Sequence, residues 1–582
     1  MDKAYFRNTA DSQDLHISFR YQNQLYSVDR DFNFCRNINE KVGDALTRIR
    51  NNVEKQLNKK KKKGKMKVKN ASAVAAVEAP VEVVDVENLC IEILRNGNAG
   101  NITNVTFAEM LSDTQNLQLM VVDRKYEVVF NQPWVLNLVL PTTVLAGYKT
   151  YPSKLEMQFA ERTYSLAKWY KSKMPSSGDL KNGAKWILCA DGFFYNTTNE
   201  DVGYVLKFML TPGNAMGHLG PVVENITKQE VQAGPGVCPF ETRHCFTAQR
   251  LCGNAFRIVS YNILADLYAD SDYSRTELFS YCPAYALKIE YRKQLFLKEI
   301  IGYNADIICL QEVDMKIFDL DLKIVLESSE FNFSGLIEQK GSSGEGVATF
   351  FRNDRFELIR TYGLNIGENI RTLPEFDELW QKIRGNEKLV ERICDRATTV
   401  QLSLLKFKDK DVYLLVANTH LYFHPDADHI RLLQIGFAMR YVENVRSSVK
   451  LDLKLSEEEI SLVFCGDFNS VPECGIYKLM TEKYVGSDFI DWTSNKEEAV
   501  KNVTLSQPFG MKSACGTPPY TNYTHLFNAC LDYIFYESKY IEVDQVIPLP
   551  TEEELKAHTA IPSVVFPSDH IALVADLKFK SF

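Results

Sequence analysis

The chain has 582 residues, of which 45% are hydrophobic and 24% are charged, and its formal net charge is −8. This length exceeds one ordinary core and predicts two or three domains. No apolar run approaches the roughly 20 residues that a membrane-spanning helix needs, so we expect no membrane span. The negative charge disfavours indiscriminate binding of polyanions, and a nucleic acid would have to be held locally.

Thirteen cysteines without CxxC pairs predict reduced thiols rather than a disulfide framework. The N-terminal residues show neither an apolar signal core nor the acid-poor character of an organelle presequence, because Asp2, Asp11 and Asp14 interrupt them. Taken alone, these residues predict a cytoplasmic protein.

The first predicted elements are a short hairpin at 16–32, where polar and apolar residues alternate, and an amphipathic helix at 39–57. We therefore expect a hairpin-helix segment over 1–57. The stretch 58–86 starts with a lysine run and continues with Ala, Val and Pro, which predicts a flexible basic linker. Its lysines could contact RNA, but a block of like charge is more often only solvated.

Residues 87–245 contain many short apolar runs separated by Gly, Asn and Pro, which predicts a β-rich, sandwich-like accessory domain. We find no catalytic cluster in it. Turn-forming residues at 232–246 indicate a domain boundary. From 255 to 582, apolar runs of strand length alternate with amphipathic helices, which predicts α/β layers around β-sheets.

Polar residues of the kinds that catalysis uses stand at the ends of these predicted strands. In "VFCGDFNSVP" (463–472), Asp467 and Asn469 lie two residues apart and so face the same side of an extended chain. Turns also favour Asp and Asn, but turn chemistry does not explain so many strand ends at once. The full set is Asn262, Glu312, His420, Asp467, Asn469, Asp532, Asp569 and His570.

The order and context of these residues resemble the exonuclease-endonuclease-phosphatase superfamily over 255–582, in the motifs "VSYNILAD", "YNADIICLQEVD", "ANTHLYFHP", "CGDFNS" and "FPSDHIAL". Within that superfamily, "SACGTPPYTNYTHLFNACLDYIF" and the β-rich region upstream are similar to enzymes that degrade 2',5'-oligoadenylate and poly(A). The resemblance implies a two-layer β-sandwich flanked by helices and Mg²⁺-dependent hydrolysis, with Mn²⁺ as a substitute. It also implies release of AMP from RNA and a location in the mitochondrial matrix, and no obligate protein partner is evident.

The same resemblance assigns roles. Glu312 is expected to be the principal ligand of Mg²⁺, a hard cation that takes one or two protein carboxylates. Asp467 would activate the attacking water or hold a second metal, and Asn469 would donate a hydrogen bond to a phosphoryl oxygen. For catalysis, the resemblance also implies His420 and His570, the latter oriented by Asp532. On the metal side, it implies Asp467, Asn469, Asn262 and Asp569 beside Glu312. For substrate binding, it implies Tyr422, Phe423 and Asn522.

Other interpretations stay open. The chain could be a deadenylase restricted to 3',5' poly(A), a catalytically inactive RNA-binding scaffold, or a phosphoinositide phosphatase. Three histidines at 420, 424 and 429 suggest zinc, but Pro425 breaks the helix that an i, i+4 pair needs. Tyr422 and Phe423 either stack on adenine or pack within the protein. "GSSGEGVATFF" lacks the lysine of a P-loop and predicts a loop before a core strand.

Overall fold

The computed structural model describes residues 2–23, 28–68, 89–98, 100–113, 115–175 and 184–580. Its first unit is a six-stranded sheet in the order β3-β2-β1-β6-β5-β4, covered by helix α1. The elements of this unit are β1 (Asp2–Arg7), β2 (Asp14–Asn23), β3 (Val28–Asn37), α1 (Val42–Val68), β4 (Ile91–Arg95), α2 (Phe107–Leu111), β5 (Leu117–Val121) and β6 (Arg124–Phe130).

The N-terminal hairpin and helix do not form a segment of their own, so the domain boundaries predicted at 57 and 87 are wrong. β1 pairs in parallel with β6, with Phe6 opposite Phe130, and Ile49 of α1 packs in the same core as Leu119. Local alternation identifies these strands but not partners more than a hundred residues away. The predicted linker 58–86 begins within α1, and its residues 69–86 lie outside the described residues.

The second unit is β-rich, as predicted, and has a four-stranded sheet in the order β11-β10-β13-β14. Its core surrounds Trp169 and Phe208, whose ring centroids are 4.8 Å apart. It contacts the following unit through Tyr151 Oη, which donates to Asp321 Oδ1 at 2.7 Å. The elements are β7 (Trp134–Val139), β8 (Lys149–Thr150), β9 (Lys154–Gln158), β10 (Glu161–Ser172), β11 (Ile187–Asp191), β12 (Tyr195–Asn196), β13 (Val205–Gly213), β14 (Val223–Ile226) and the linking helix α3 (Pro239–Arg243).

The third unit contains two six-stranded sheets in the orders β17-β18-β16-β15-β30-β29 and β19-β20-β21-β22-β28-β25. Their strands are β15 (Ala255–Asn262), β16 (Ile307–Asp314), β17 (Phe333–Gln339), β18 (Glu345–Arg352), β19 (Phe356–Asn365), β20 (Thr399–Phe407), β21 (Val412–His420), β22 (Ile460–Asp467), β25 (Met511–Ser513), β28 (Asp532–Glu537), β29 (Ile541–Val546) and β30 (Leu573–Phe579). Short pairs are formed by β23 (Tyr484–Val485), β24 (Leu505–Ser506), β26 (Asn522–Tyr523) and β27 (Asn528–Ala529).

The two large sheets pack face to face. Ile258 and Ile307 of the first sheet share a buried cluster with Val416 and Val463 of the second. Helices cover the outer faces, which confirms the predicted sandwich flanked by helices. These helices are α4 (Asp266–Ala269), α5 (Ala284–Leu287), α6 (Ile289–Gly302), α7 (Met315–Ile317), α8 (Lys323–Leu326), α9 (Ile366–Asn369), α10 (Asp377–Ile383), α11 (Glu387–Cys394), α12 (Asp428–Leu453), α13 (Gly475–Glu482) and α14 (Glu552–Lys556).

The cysteines are all free, as the sequence predicts. Among the residues that the structure describes, no helix combines the length and the apolar character needed to cross a bilayer.

Candidate active site

The functional side chains meet because strand register places them side by side. In the second sheet, parallel β21 and β22 set His420 opposite Asp467, and antiparallel β28 sets Asp532 opposite Asp467. In the first sheet, Asn262 ends β15 and Glu312 lies near the end of the parallel neighbour β16. Because the sheets face each other, Asn262 Nδ2 comes within 3.1 Å of Asp467 Oδ2. The predicted strand-end residues therefore converge at one edge of the sandwich.

Glu312 is a buried carboxylate held by two donors. Asn262 Nδ2 donates to Oε1 at 3.0 Å, and the backbone N–H of Ala265 donates to Oε2 at 3.0 Å. Burial, followed by the charges of Asp569 and Glu345, raises the pKa of Glu312 to about 7. A nearby cation would therefore favour its ionised form.

Asn262 supports the carboxylates rather than joining the ligand set. Its Nδ2 donates to both Glu312 and Asp467, while its Oδ1 accepts from the backbone N–H of Leu264 at 3.0 Å. The expected place of Asn262 on the metal side stays a prediction. In this arrangement, however, Asn262 presents a donor nitrogen that a cation would repel.

Two site residues adopt the left-handed backbone conformation that non-glycine residues rarely use. The φ angle is 54° at Glu312 and 47° at Asn469. The pairing of β16 with β18 shifts register between Leu310 and Val313, and such a bulge re-aims the side chains within it. Backbone strain of this kind clusters at functional sites.

His570 lies between two carboxylates. Its Nδ1 is 2.8 Å from Asp532 Oδ2, and its Nε2 is 3.5 Å from Asp467 Oδ2. Burial lowers the pKa of His570, but the charges of Asp532, Asp467 and Asp569 outweigh burial and raise it well above its ordinary value. Burial and Asp532 raise the pKa of Asp467 to about 6, against the opposing charge of His570. Near neutral pH, therefore, a cationic imidazole faces an ionised carboxylate.

His420 also faces Asp467, with Glu312 in place of Asp532, but its pKa shifts in the other direction. Its Nε2 is 3.6 Å from Asp467 Oδ2 and 3.9 Å from Glu312 Oε1, and its Nδ1 is buried without a partner among the described residues. Burial, followed by the charges of Lys340 and His570, lowers the pKa of His420 well below its ordinary value. His420 is therefore a neutral imidazole at the site.

Asn469 and Asn522 reach the site through different partners. The backbone N–H of Asn469 donates to Asp467 Oδ1 at 2.9 Å, and its Nδ2 donates one hydrogen to the carbonyl of Leu421 at 2.9 Å. The amide's second hydrogen could serve a phosphoryl oxygen. Asn522 Nδ2 donates to the backbone O and to Oδ2 of Asp569 at 3.1 and 3.3 Å, so it orients a site carboxylate. Its contact with substrate stays a prediction.

The two predicted stacking residues differ in their surroundings. The ring of Tyr422 is half-buried, with the guanidinium carbons of Arg396 and Arg392 at 4.7 and 5.5 Å from its centroid. Phe423 is 68% exposed. Tyr422 therefore already has packing partners, whereas the ring of Phe423 is open to a base. Both substrate contacts stay predictions.

The structure gives the three neighbouring histidines separate partners. His420 faces the site carboxylates, His424 contacts Asp426, and His429 Nε2 lies 2.8 Å from Glu498 Oε2. These arrangements do not converge on a common point, which argues against the zinc interpretation.

Two buried hydroxyls hold site residues in place, although the sequence analysis assigns them no role. Thr521 Oγ1 donates to Asp532 Oδ2 at 2.6 Å. Ser568 Oγ donates to the carbonyl of Asn262 at 2.7 Å and accepts from the backbone N–H of His570 at 3.2 Å. Ser568 stands inside the motif "FPSDHIAL" and Thr521 inside "SACGTPPYTNYTHLFNACLDYIF", so the quoted motifs could have pointed to both residues.

Glu345 is a further acid near the site. The loop predicted before a core strand does precede β18, but Glu345 begins that strand and is only 1% exposed. Lys340 Nζ lies 3.3 Å from its Oε1, and its Oε2 is buried without a partner among the described residues. Its charge helps to raise the pKa of Glu312.

The donor set fits a divalent cation. His570 balances part of the charge of Asp467 and Asp532, and these three side chains offer ligand atoms within 4.8 Å of one another. The carboxylate of Glu312 has only neutral donors as hydrogen-bond partners, and Oδ1 of Asp569 is buried without a partner in the described chain. Buried carboxylates that lack a counter-charge are the groups that a hard cation stabilises.

Two family profiles match the chain. The Endonuclease/Exonuclease/phosphatase family matches residues 259–570. The 2',5'-phosphodiesterase 12-like, N-terminal domain matches residues 132–231, which covers the second structural unit.

Relatives align over the whole chain or over its catalytic part. The 2',5'-phosphodiesterase 12 of Bos taurus is 38% identical over 598 residues, covering 100% of this chain and 94% of that protein. The CCR4-Not complex 3'-5'-exoribonuclease subunit Ccr4 of Schizosaccharomyces pombe is 29% identical over 352 residues, covering 56% of this chain and 49% of that protein.

Among solved structures, ANGEL2, a 2',3'-cyclic phosphatase, aligns at 22% identity with a TM-score of 0.46, over 57% of this chain and 98% of that one. The profile match over 259–570 and the full-length relative agree with the site at the sandwich edge. The chain therefore belongs to the endonuclease/exonuclease/phosphatase family and is a hydrolytic enzyme of the nuclease and phosphodiesterase class.

Proposed function

We propose that the protein is a Mg²⁺-dependent 3'-exoribonuclease that hydrolyses 2',5'-oligoadenylate and 3',5'-linked poly(A) and releases AMP. The chemistry rests on one observation, which is that Oδ2 of Asp467 lies 3.6 Å from Nε2 of His420 and 3.5 Å from Nε2 of His570. The choice of substrate rests on the 38% identity with 2',5'-phosphodiesterase 12 over the whole chain.

Asp467 is the base in this mechanism. Its pKa of about 6 leaves it ionised at neutral pH yet close enough to take a proton from water, which is the condition for efficient general base catalysis. Its Oδ1 is oriented by the backbone N–H of Asn469. The attacking water gives its proton to Asp467 as its oxygen bonds to phosphorus.

The two histidines act on the phosphoryl group. His570, cationic and fixed by Asp532, neutralises charge that develops on the phosphoryl oxygens. His420, neutral, donates an uncharged hydrogen bond from the other side of Asp467. Asn469 adds a further donor without adding charge. These groups stabilise the transition state while the bond to the leaving oxygen breaks.

Glu312 would hold the metal ion, with Asp467 and Asp569 as the neighbouring carboxylates. When bound, Mg²⁺ polarises the scissile phosphate and stabilises the leaving oxygen. We propose Mg²⁺ because the surrounding donors are all oxygen or imidazole and no cysteine joins them among the described residues; Mn²⁺ is expected to substitute.

The test compares 2',5'- and 3',5'-linked oligoadenylate of equal length under identical conditions, with oligouridylate and DNA as controls. We expect a ladder that shortens by single nucleotides from the 2'- or 3'-hydroxyl end, with AMP as the product. Internal cuts, indifference to the base, or release of inorganic phosphate from phosphoinositides would overturn the proposal.

A narrower activity is the second candidate. The similarity to a 3'-5'-exoribonuclease subunit over the catalytic part favours a deadenylase that accepts only 3',5' linkages. The same comparison decides between them, because that enzyme would leave the 2',5'-linked substrate intact.

We also propose a location in the mitochondrial matrix, on the strength of the family resemblance, with the cytoplasm as the alternative. Fractionation of cells that express the chain with its native N-terminus, followed by protease protection of intact mitochondria, would separate the two.

A further inference from the structure

A half-buried arginine lies beside the site without a partner for its charge. The guanidinium carbon of Arg396 is 4.7 Å from the centroid of the Tyr422 ring. Within the described part of the chain, Arg396 makes no ion pair or hydrogen bond, and its Nε is buried without a partner. Arginine donors removed from water are costly unless they are paired, which suggests that a ligand supplies the partner.

Tyr422 fixes this arginine close to the catalytic groups. The backbone N–H of Leu421 donates to the carbonyl of Asp467 at 3.0 Å, and Asn469 Nδ2 donates to the carbonyl of Leu421 at 2.9 Å. The next residue along the chain is Tyr422, under Arg396. The backbone that carries Tyr422, and with it the ring under Arg396, is therefore joined to the turn that carries Asp467 and Asn469.

A glutamine links the two chain segments that carry this pair. Gln434 Oε1 accepts from the backbone N–H of Tyr422 at 3.2 Å, and Gln434 Nε2 donates to Thr398 Oγ1 at 2.8 Å. Thr398 stands two residues after Arg396. The two chain segments that carry Arg396 and Tyr422 are thus joined by hydrogen bonds, and the guanidinium packs on the ring of Tyr422.

Neighbouring cations differ from Arg396 in having acidic partners. Arg392 also lies over Tyr422, but its Nη1 is 2.8 Å from Glu498 Oε2, and it forms a second ion pair with Asp426. Lys340, whose charge acts on His420, lies 3.3 Å from Glu345. Their charges are already neutralised within the protein, whereas the charge of Arg396 is available to an anion.

We propose that Arg396 binds the phosphate of the linkage next to the scissile one, in the part of the oligonucleotide that the enzyme retains. This inference rests on the proposed function. A guanidinium that stacks by its face on an aromatic ring keeps its N–H edge for a phosphate, whose oxygens match the fork of donors. The second phosphate is the natural partner, because Glu312, Asp467 and the two histidines already address the scissile one.

The contact of Arg396 with a phosphate would also reduce the electrostatic repulsion between the site and its substrate. The site is rich in carboxylates and the chain carries a net charge of −8, so an oligonucleotide is repelled until local cations hold it. Arg396 would then make the enzyme prefer substrates with at least two linkages over a dinucleotide.

The experiment compares 2',5'-linked ApA, which has one phosphate, with ApApA, which has two, both without terminal phosphates. The measured quantity is the ratio of kcat/KM for the trimer to that for the dimer. Arg396→Gln should lower this ratio roughly tenfold or more, the scale of one lost charge-assisted hydrogen bond. Arg396→Lys, which keeps the charge but not the fork, should fall between Arg396→Gln and the wild type.

A matched control is Arg392→Gln, which removes a paired charge from the same ring and should leave the trimer-to-dimer ratio at the wild-type value. Added salt should lower the ratio of the wild type and have less effect on Arg396→Gln, because one phosphate contact is already gone. An unchanged ratio in Arg396→Gln would overturn the inference while dimer hydrolysis still supports the proposed function. If the wild type cleaves neither compound, it is the proposed function that falls.

Discussion

A histidine lies on each side of Asp467, and one ring is neutral while the other is cationic. His420 and His570 are each 6% exposed, and their Nε2 atoms lie 3.6 and 3.5 Å from the same carboxylate oxygen. Behind His570 stands Asp532, whereas the outward nitrogen of His420 has no partner among the described residues. Burial favours the neutral form of a histidine, and at His570 the charges of Asp532, Asp467 and Asp569 together reverse that outcome. The surroundings of each imidazole therefore decide its charge state and, with it, its chemical role.

The largest expected effect comes from Glu312, whose Oε1 lies 3.9 Å from Nε2 of His420. Glu312→Ala should abolish hydrolysis, and EDTA should silence the wild type, with recovery on adding Mg²⁺ or Mn²⁺. The reason is that Glu312 is the proposed principal ligand. Glu312→Gln keeps the shape and its hydrogen bond to the N–H of Ala265, so it separates loss of the metal ligand from loss of the fold. Full turnover in EDTA would contradict the metal mechanism.

Next in size is the loss of the charge behind His570. Asp532→Asn should reduce kcat by a factor on the order of a hundred or more, the scale of lost acid-base assistance, because the imidazole would no longer be held cationic. The loss of activity at high pH should also move to lower pH, since removing Asp532 lowers the pKa of His570. Both the fall in kcat and the shift of its alkaline limb are measured from the dependence of kcat on pH.

The control for that variant is Thr521→Val, which removes a hydroxyl donor from Asp532 but leaves its charge. Its kcat should fall less than that of Asp532→Asn, and its profile should keep the position of the alkaline limb. Equal losses in the two variants would mean that Asp532 acts by geometry rather than by charge.

A smaller effect is expected on the neutral side. His420→Gln keeps an uncharged N–H donor, so kcat should fall by about tenfold at most, the scale of one neutral hydrogen bond. The pH profile should stay in place, because a neutral ring contributes no titration near pH 7. A shift of the profile comparable to that of Asp532→Asn would show that the two sides do not differ in charge as described.

The smallest effect concerns stability without metal. The pKa values of Glu312 and Asp467 are raised to about 7 and about 6, so the folded state binds protons more tightly than the unfolded state. Stability should then fall as pH rises between about 4 and 7. The raised pKa of His570 acts in the same direction as pH climbs further, and the lowered pKa of His420 opposes it.

Melting temperatures in EDTA measure this balance. We expect the midpoint to be lower by roughly a few degrees at pH 8 than at pH 5.5, and Mg²⁺ to restore it at pH 8. Glu312→Gln should show a weaker dependence on pH. A wild-type midpoint that rises steadily with pH would mean that His420 dominates the balance.

The catalytic strands could be read from the sequence because each is a continuous apolar run with a polar end, as in "SLVFCGDFN". Their convergence follows from the parallel pairing of β15 with β16 and of β21 with β22, from antiparallel β28, and from the facing of the two sheets. The sequence already pairs His570 with Asp532, but it does not predict the neutral state of His420, which follows from the burial of its ring. Thr521 and Glu345 both lie in quoted motifs, but their contacts with Asp532 and Lys340 depend on the folded structure.

The N-terminal boundary shows the same limit on a larger scale. Alternation at 16–32 identifies a hairpin, but β1 finds its partner β6 about 120 residues later, beyond any local pattern. The lysine run also predicts that a linker begins at residue 58, although α1 continues to Val68.

The position of β30 has a consequence for the time at which activity can arise during synthesis. This strand, Leu573–Phe579, pairs with β15, the first strand of its sheet, and the loop just before it carries Asp569 and His570. A growing chain therefore holds Glu312 and His420 long before it holds His570, and β15 has β16 on one side but lacks β30 on the other until that strand emerges. A ribosome-bound chain therefore has no complete site until β30 and the loop before it have emerged.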